Sequence, residues 1–220
     1  MKAMILAAGR GKRMGVLTDD CPKPLIKVAG LSLIEHHIIA LKAQGFNELV
    51  INIAYLGEQI KQQLGSGEKW GVSIEYSDEG THALETGGGI VNALPLLGPE
   101  PFLVVNADVW TDFPYASLRQ KAPTSKMHLV LVENPIHHPD GDFHLSADKL
   151  VTMGEKKFTY SGLGVFDPSV FKGKKTTAFP LAPVIRELIL AGEVSGQLYS
   201  GVWVDVGTPE RLAQLMTASQ

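Results

Sequence analysis

Cysteine is nearly absent from the sequence, with Cys21 alone among 220 residues. That excludes an internal disulfide framework and a cysteine-rich zinc site, and it fits a reducing compartment. An excess of charge of one sign is also lacking. Twenty Lys and Arg stand against 23 Asp and Glu, a net charge of -3, so no general field draws in nucleic acid or an acidic membrane. Any polyanion has to be met by a local site. No apolar run approaches the ~18 residues that a membrane-spanning helix needs. The segment Met1 to Gly9 carries one lysine and a short apolar run that glycine and basic residues end at once. It reads as a strand, not a secretion signal. Cytoplasm is the expected location, with no nucleic-acid and no membrane partner.

Glycine is abundant: 23 of 220 residues, where an average chain has roughly 7%, which points to functional backbone turns. The hydrophobic fraction of 45% and the charged fraction of 20% are those of an ordinary globular chain. At ~150 residues per domain the length suggests one domain, residues 1–220.

The pattern along the chain is first an alternation. Lys2 to Leu6 is a short apolar strand. Ser32 caps a helix to about Gln44, with Glu35 completing a capping box and Gly45 as the stop. Glu48 to Ile53 is a β-branched strand, Leu56 to Leu64 a helix ended by Gly65, and Val72 to Tyr76 a strand. Thr86 to Leu94 reads as a helix stopped by Pro95, and Pro101 to Asn106 as another buried strand. Parallel strands need crossovers of a dozen or more residues, so this order predicts an α/β fold with a doubly wound, mostly parallel sheet. Ligands then belong at the carboxyl ends of the strands. After Met127 to Val132 the pieces Gly141 to Ser146, Lys149 to Lys156 and Thr159 to Phe166 are separated by short turns, which predicts a small antiparallel lobe. Leu181 to Ala191 reads as a helix with Pro183 in its first turn. Gly201 to Gly207 reads as a strand, and Thr208-Pro209-Glu210 opens a last helix.

Gly9-Arg10-Gly11-Lys12-Arg13-Met14-Gly15 follows the first strand, and glycines there let backbone N–H groups converge on an anion. The spacing is not a Walker A loop, because Leu6 and Arg13 stand where that motif needs Gly and Ser or Thr. It is a poor dinucleotide fingerprint as well, with the third glycine misplaced and three cations in the loop. Downstream, Pro22 and Pro24 bracket Lys23 and stiffen the segment that aims its ammonium. A solvated basic turn is the plain alternative.

Asn106-Ala107-Asp108 and Trp203-Val204-Asp205 each put a carboxylate just past an apolar run. Two such carboxylates at one cleft, with phosphates and water completing the shell, suit Mg²⁺. Taken singly, each is ordinary turn chemistry. His137-His138 precede a proline, and neighbouring side chains on a strand point apart, so they read as loop residues. Trp70 and Trp203 read as packing.

Ala7-Ala8-Gly9-Arg10-Gly11-Lys12-Arg13-Met14 followed by Pro22-Lys23-Pro24-Leu25 resembles the paired signature of the sugar-1-phosphate nucleotidylyltransferases, and the similarity covers nearly the whole chain. The family often has a proline where Val16 stands. The resemblance implies that residues 1–125 form the nucleotide-binding half and 126–220 the sugar-binding half. It implies that Ala8, Gly9, Gly11 and Lys12 wrap a nucleoside triphosphate whose phosphates Arg13 and Lys23 hold. It makes Arg13, Lys23 and Asp108 the catalytic set and Asp108 and Asp205 the Mg²⁺ ligands. Glu85-Thr86-Gly87-Gly88 matches the segment that reads the base, with Gly87 and Gly88 against the nucleotide. Asn106, Gly141, Glu155 and Gly162 match positions that line the sugar. Glu85 in place of the commoner glycine, and the short chain, are most like the uridylyltransferases acting on N-acetylmuramate 1-phosphate, so UTP and a sugar 1-phosphate are the expected substrates. GTP with mannose or heptose 1-phosphate stays open, as does a silent nucleotide-sensing domain.

Overall fold

The computed structural model describes residues 1–119 and 125–218. Residues 120–124, at the seam expected between the halves, and the last two residues of the expected 1–220 domain lie outside the described part. In chain order the elements are β1 (Ala3–Leu6), β2 (Lys27–Val28), β3 (Leu31–Ser32), α1 (Leu33–Ala43), β4 (Glu48–Ile53), α2 (Gly57–Leu64), β5 (Ser73–Asp78), α3 (Glu85–Leu97), β6 (Phe102–Asn106), β7 (Val109–Thr111) and α4 (Ala116–Arg119). There follow β8 (Met127–Val132), β9 (Phe143–Leu145), β10 (Val151–Thr152), β11 (Lys157–Phe166), α5 (Ala182–Leu190), β12 (Val194–Tyr199), β13 (Trp203–Asp205) and α6 (Pro209–Ala218).

Strands β5, β4, β1 and β6 lie side by side and parallel. β11 then runs antiparallel to β6, β8 antiparallel to β11, and β12 parallel to β8. The short β9 and β10 extend the sheet antiparallel from the start of β11. The period of two along buried strands sorts the core onto two faces. Ala3 and Ile5 of β1 pack with Ile34, Ile38 and Leu41 of α1 and Ile60 and Leu64 of α2. Met4, between them, packs on the other face with Ile90, Ala93 and Leu97 of α3 and Val184 and Ile185 of α5. Helices therefore cover both faces, as the alternating sequence predicts. A third cluster joins Met14 of the glycine-rich loop and Leu33 of α1 to Val206 and to Leu212 and Leu215 of α6.

The capping box of α1 forms as expected: the backbone N–H of Ser32 donates to Glu35 Oε2 at 2.9 Å and its hydroxyl to the same oxygen at 2.7 Å. Gly45, just past the helix, has φ +86°. Three expectations need correction. Pro95 does not stop α3, which continues to Leu97. A proline in the last turn forfeits one hydrogen bond, and the Gly98 N–H closes that turn on the Leu94 carbonyl at 3.0 Å. The stretch 149–156 is strand only at Val151–Thr152, since Lys149 takes φ +64° in a turn. Of the strand expected from Gly201 to Gly207, Trp203–Asp205 forms, and among the described residues it pairs with β7 outside the main sheet.

His37 of α1 lies wholly inside, with Nδ1 at 3.0 Å from the Tyr115 hydroxyl. Burial pushes its imidazole down to about 4. Folding therefore holds it neutral while the unfolded chain takes up a proton near its ordinary value. Its contribution is fully present above that value and is lost as pH falls, by about 2 kcal/mol at pH 5. Urea titrations at pH 8 and pH 5 should show this loss, and His37→Gln should remove about that much of the pH dependence.

Candidate active site

The order of the parallel strands reverses between β1 and β6, where chain connections depart to opposite faces and a crevice opens at the carboxyl ends. Ala7 and Ala107 leave the sheet there, the Ala107 N–H donating to the Leu6 carbonyl at 3.1 Å. Two cavities of about 340 Å³ each occupy the crevice, and Arg13, Asn106 and Asp108 line both.

The first cavity is bounded by the glycine-rich loop, with Ala8, Gly9, Gly11, Lys12, Arg13 and Lys23 in its wall. Gly11 takes φ +69°, and a methyl group on it would sit 3.1 Å from Lys23 Cβ. Glycine is required both for the turn and for the approach of the lysine. Lys12 to Thr18 coils into a 3₁₀ helix kinked at Gly15. Buried Thr18 holds it, donating its hydroxyl to the carbonyls of Gly11 and Gly15, each at 3.2 Å. This staple ties the two ends of the coil together. Of the three loop cations, Arg10 lies over the Tyr55 ring at 5.0 Å, while Lys12 and Arg13 face the cavity.

Lys23 is 7% exposed, and its Nζ lies 2.5 Å from Asp108 Oδ2. The second carboxylate arrives on β13, which pairs with β7 so that Asp205 stands opposite Val109. The Val206 N–H donates to the Asp108 carbonyl at 2.9 Å, tying the two acidic segments together. Asp205 Oδ2 is 3.0 Å from Arg211 Nη1 and 3.7 Å from His137 Nε2. Among the described residues no group of three or more His, Cys, Asp and Glu is placed to hold a metal. Two adjacent carboxylates fit a hard cation whose remaining ligands are phosphate and water oxygens.

Sequence reasoning missed the far wall of the first cavity. The Ala7 N–H donates to Asn52 Oδ1 at 2.8 Å, Asn52 Nδ2 to Glu79 Oε1 at 2.6 Å, and the Leu84 N–H to Glu79 Oε2 at 2.6 Å. This chain links the ends of β1, β4 and β5 to the start of α3. Burial pushes the Glu79 carboxyl above its usual range against these hydrogen bonds. The only hint in the sequence was that Asn52 and Asp78-Glu79 close two apolar strands. Glu85 and Thr86 also line the cavity, and Glu85 holds φ +57°, a left-handed conformation that glycine takes at less cost.

Gly87 and Gly88 do not line it. Their N–H groups donate to the Phe179 carbonyl at 3.0 and 3.2 Å. Added methyl groups would lie 2.3 Å from the Phe179 ring and 2.1 Å from the Thr177 carbonyl oxygen. These glycines admit the strap at 177–179, a role no local pattern signals.

The second cavity is lined by Asp205, Gly162 and Trp203 besides the shared residues. A bulge in β11 between Tyr160 and Leu163 produces it. Gly162 takes φ +80°, and a methyl group there would lie 2.6 Å from Asn106 Nδ2. Trp203 donates its indole N–H to the Ser161 carbonyl at 2.9 Å, bracing the bulge. Glu155 is exposed in a turn outside the cavity lining, and Gly141, at φ +60°, shapes the neighbouring loop without lining it. His137 and His138, expected to be plain loop residues, both line the cavity, because the loop after β8 folds back over it.

A doubly wound sheet whose reversal point carries a cationic loop and two carboxylates defines a class of enzyme, one that moves phosphate-bearing groups. Comparison narrows the class: the sequence profile described as Nucleotidyl transferase matches residues 2–220, and the chain belongs to that family. It is 51% identical to an N-acetylmuramate alpha-1-phosphate uridylyltransferase of Neisseria meningitidis serogroup B, covering 97% of this chain and 96% of that one. Its identity to the protein of that name from Caulobacter vibrioides is 36%, over 94% of this chain and 92% of the relative. A mannose-1-phosphate guanylyltransferase catalytic subunit beta of Dictyostelium discoideum is 32% identical over 96% of this chain but only 62% of its own length. Among solved structures, HddC from Yersinia pseudotuberculosis complexed with GMP-PN superposes with a TM-score of 0.81 at 20% identity, covering 100% of this chain and 99% of that one. Nucleotidyltransferases of this family work with a divalent metal.

Two substitutions test the geometry. Gly162→Ala, strained by its positive φ and pressing on Asn106, should raise the KM for the sugar substrate at least fivefold while nucleotide binding, read by calorimetry, stays within twofold. Asp108→Asn strips the buried Lys23 of its counter-charge and should lower stability by about 1–3 kcal/mol, less than for a fully buried pair because the aspartate is partly solvated. The protein should remain folded by circular dichroism while pyrophosphate release falls at least a hundredfold.

Proposed function

We propose that this chain is a Mg²⁺-dependent uridylyltransferase that converts UTP and N-acetylmuramate 1-phosphate to UDP-N-acetylmuramate and pyrophosphate. The observation that carries the transfer chemistry is that the two cavities meet at Arg13, Asn106 and Asp108. A triphosphate in the first and a sugar phosphate in the second then present their reacting ends to the same cation. The base and the sugar rest on the 51% identity to the Neisseria uridylyltransferase over nearly the whole of both chains.

Charge dictates the mechanism. The second pKa of a phosphate monoester is about 6, so the sugar phosphate is already nucleophilic at neutral pH and needs no general base. Bringing two polyanions to ~4 Å costs several kcal/mol even at an effective dielectric of ~20. Lys12, Arg13 and Lys23 offset that repulsion from the loop side. Asp108 and Asp205 would hold the Mg²⁺, which when bound supplies further neutralising charge at the phosphates. A sugar-phosphate oxygen bonds to the α-phosphorus in line as the bond to the pyrophosphate oxygen breaks, and the fixed cations stabilise the charge on the equatorial oxygens. Asn106, at the seam, orients the sugar phosphate. Ala8, Gly9 and Gly11 let the triphosphate approach the backbone. The 220 residues act as one catalytic domain. The proposed location is the cytoplasm, and among the described residues no helix is long and apolar enough to cross a membrane.

Thermal shifts with UTP, GTP, dTTP and CTP in the presence of Mg²⁺ report the base, because a ligand of the native state adds RT ln(1 + [L]/Kd) to stability. UTP should give the largest shift. A larger shift with GTP would favour a guanylyltransferase, and the absence of pyrophosphate release with every sugar phosphate would mark a silent binding domain.

A further inference from the structure

The loop from Glu133 to Gly141 is held more firmly than a surface connection requires. Asn134 Nδ2 donates to the Pro139 carbonyl at 2.9 Å and to the Lys157 carbonyl at 3.0 Å, and its Oδ1 accepts from the Thr159 hydroxyl at 2.9 Å. The His138 N–H donates to the Pro135 carbonyl at 2.9 Å. Gly141 is confined by the Asn134 side chain, 2.6 Å from where a methyl group would sit. Such support is what a binding group needs if its position is to be kept.

The loop delivers two imidazoles to the second cavity, and their partners differ. His137 faces Asp205 and so belongs to the phosphate end. His138 turns Nε2 to Asp142 Oδ1 at 3.2 Å, and the other oxygen of Asp142 accepts the Tyr160 N–H at 2.8 Å. A carboxylate only accepts, so Nε2 carries the proton and Nδ1 is the ring nitrogen left for a ligand. A carboxylate received at Nδ1 would pair with the ring's other N–H, since both ring nitrogens donate in the charged form, and such charge-assisted bonds are the strong ones. Apart from Arg13, already engaged at the phosphate seam, the two histidines are the basic groups lining this cavity.

We propose that His138, oriented by Asp142, is the residue that selects a sugar 1-phosphate bearing a second acidic group, by receiving that carboxylate at Nδ1. The inference rests on the uridylyltransferase reading above, since N-acetylmuramate differs from N-acetylglucosamine by a lactyl ether that ends in a carboxylate. His138 is a specificity residue and Asp142 a positioning residue.

The test is the ratio of kcat/KM for N-acetylmuramate 1-phosphate to that for N-acetylglucosamine 1-phosphate, measured with UTP and Mg²⁺. The wild type should favour the acidic sugar. His138→Gln should lower the ratio tenfold or more, as expected for one charge-assisted hydrogen bond. Asp142→Asn should lower it by less, and His138→Arg, which keeps a cation in place, should retain most of it. A purely structural role would reduce both rates together and leave the ratio unchanged in His138→Gln, which would overturn the proposal. So would loss of the ratio in His138→Arg equal to that in His138→Gln, or a wild type indifferent to the lactyl group. Wild-type protein that releases no pyrophosphate with UTP and either sugar would instead sink the uridylyltransferase reading, and this inference with it.

Discussion

The ammonium of Lys23, almost wholly withdrawn from water, is balanced by Asp108 at 2.5 Å. A buried charge tolerates no vacancy opposite it, because an unpaired ion in a low-dielectric interior costs several kcal/mol. Much of the surrounding structure keeps that pair aligned. Two prolines fix the backbone around Lys23, Gly11 clears its approach, and the Val206 N–H holds the segment bearing Asp108. The pair also joins the two cavities, since Asp108 lines both.

Much of this was legible in the sequence because it is written locally. The strand, loop and helix alternation fixes the parallel sheet, and hence the end of the sheet at which a crevice opens. The cationic loop and Pro-Lys-Pro segment sit within one stretch of chain, and each aspartate closes an apolar run. What escaped notice depends on contacts between distant segments. Asn52 and Glu79 gain meaning only when three strand ends meet. Gly87 and Gly88 look like a ligand-binding turn until the strap at 177–179 is seen to occupy the space. The two histidines lie on a loop whose fold-back no periodicity encodes. Glu155, matched to a family position in sequence, is exposed and does not line the cavity.

Among the described residues, left-handed non-glycine backbone occurs at Ala29, Leu56, Glu85 and Lys149, all in turns or at helix starts and none inside a strand. Glu85 adopts a left-handed conformation at the mouth of the first cavity, and Gly162 does so in the bulge beside Asn106. A non-glycine residue in such a conformation costs of order 1 kcal/mol or more and persists where its surroundings over-determine it. At Glu85 that cost sits beside the wall that would face the base. The central strands, by contrast, show regular parallel registers. Rigidity in the sheet and strain at its rim divide the labour between holding the crevice open and shaping what enters it.

The third apolar cluster joins Met14 of the glycine-rich loop to Leu212 and Leu215 of α6, so the loop leans on a helix about two hundred residues downstream. During vectorial synthesis the early strands emerge first and can begin to pair, but the loop lacks its buttress until α6 has left the ribosome. The wall of the first cavity that this loop forms therefore sets only after the distant helix has docked.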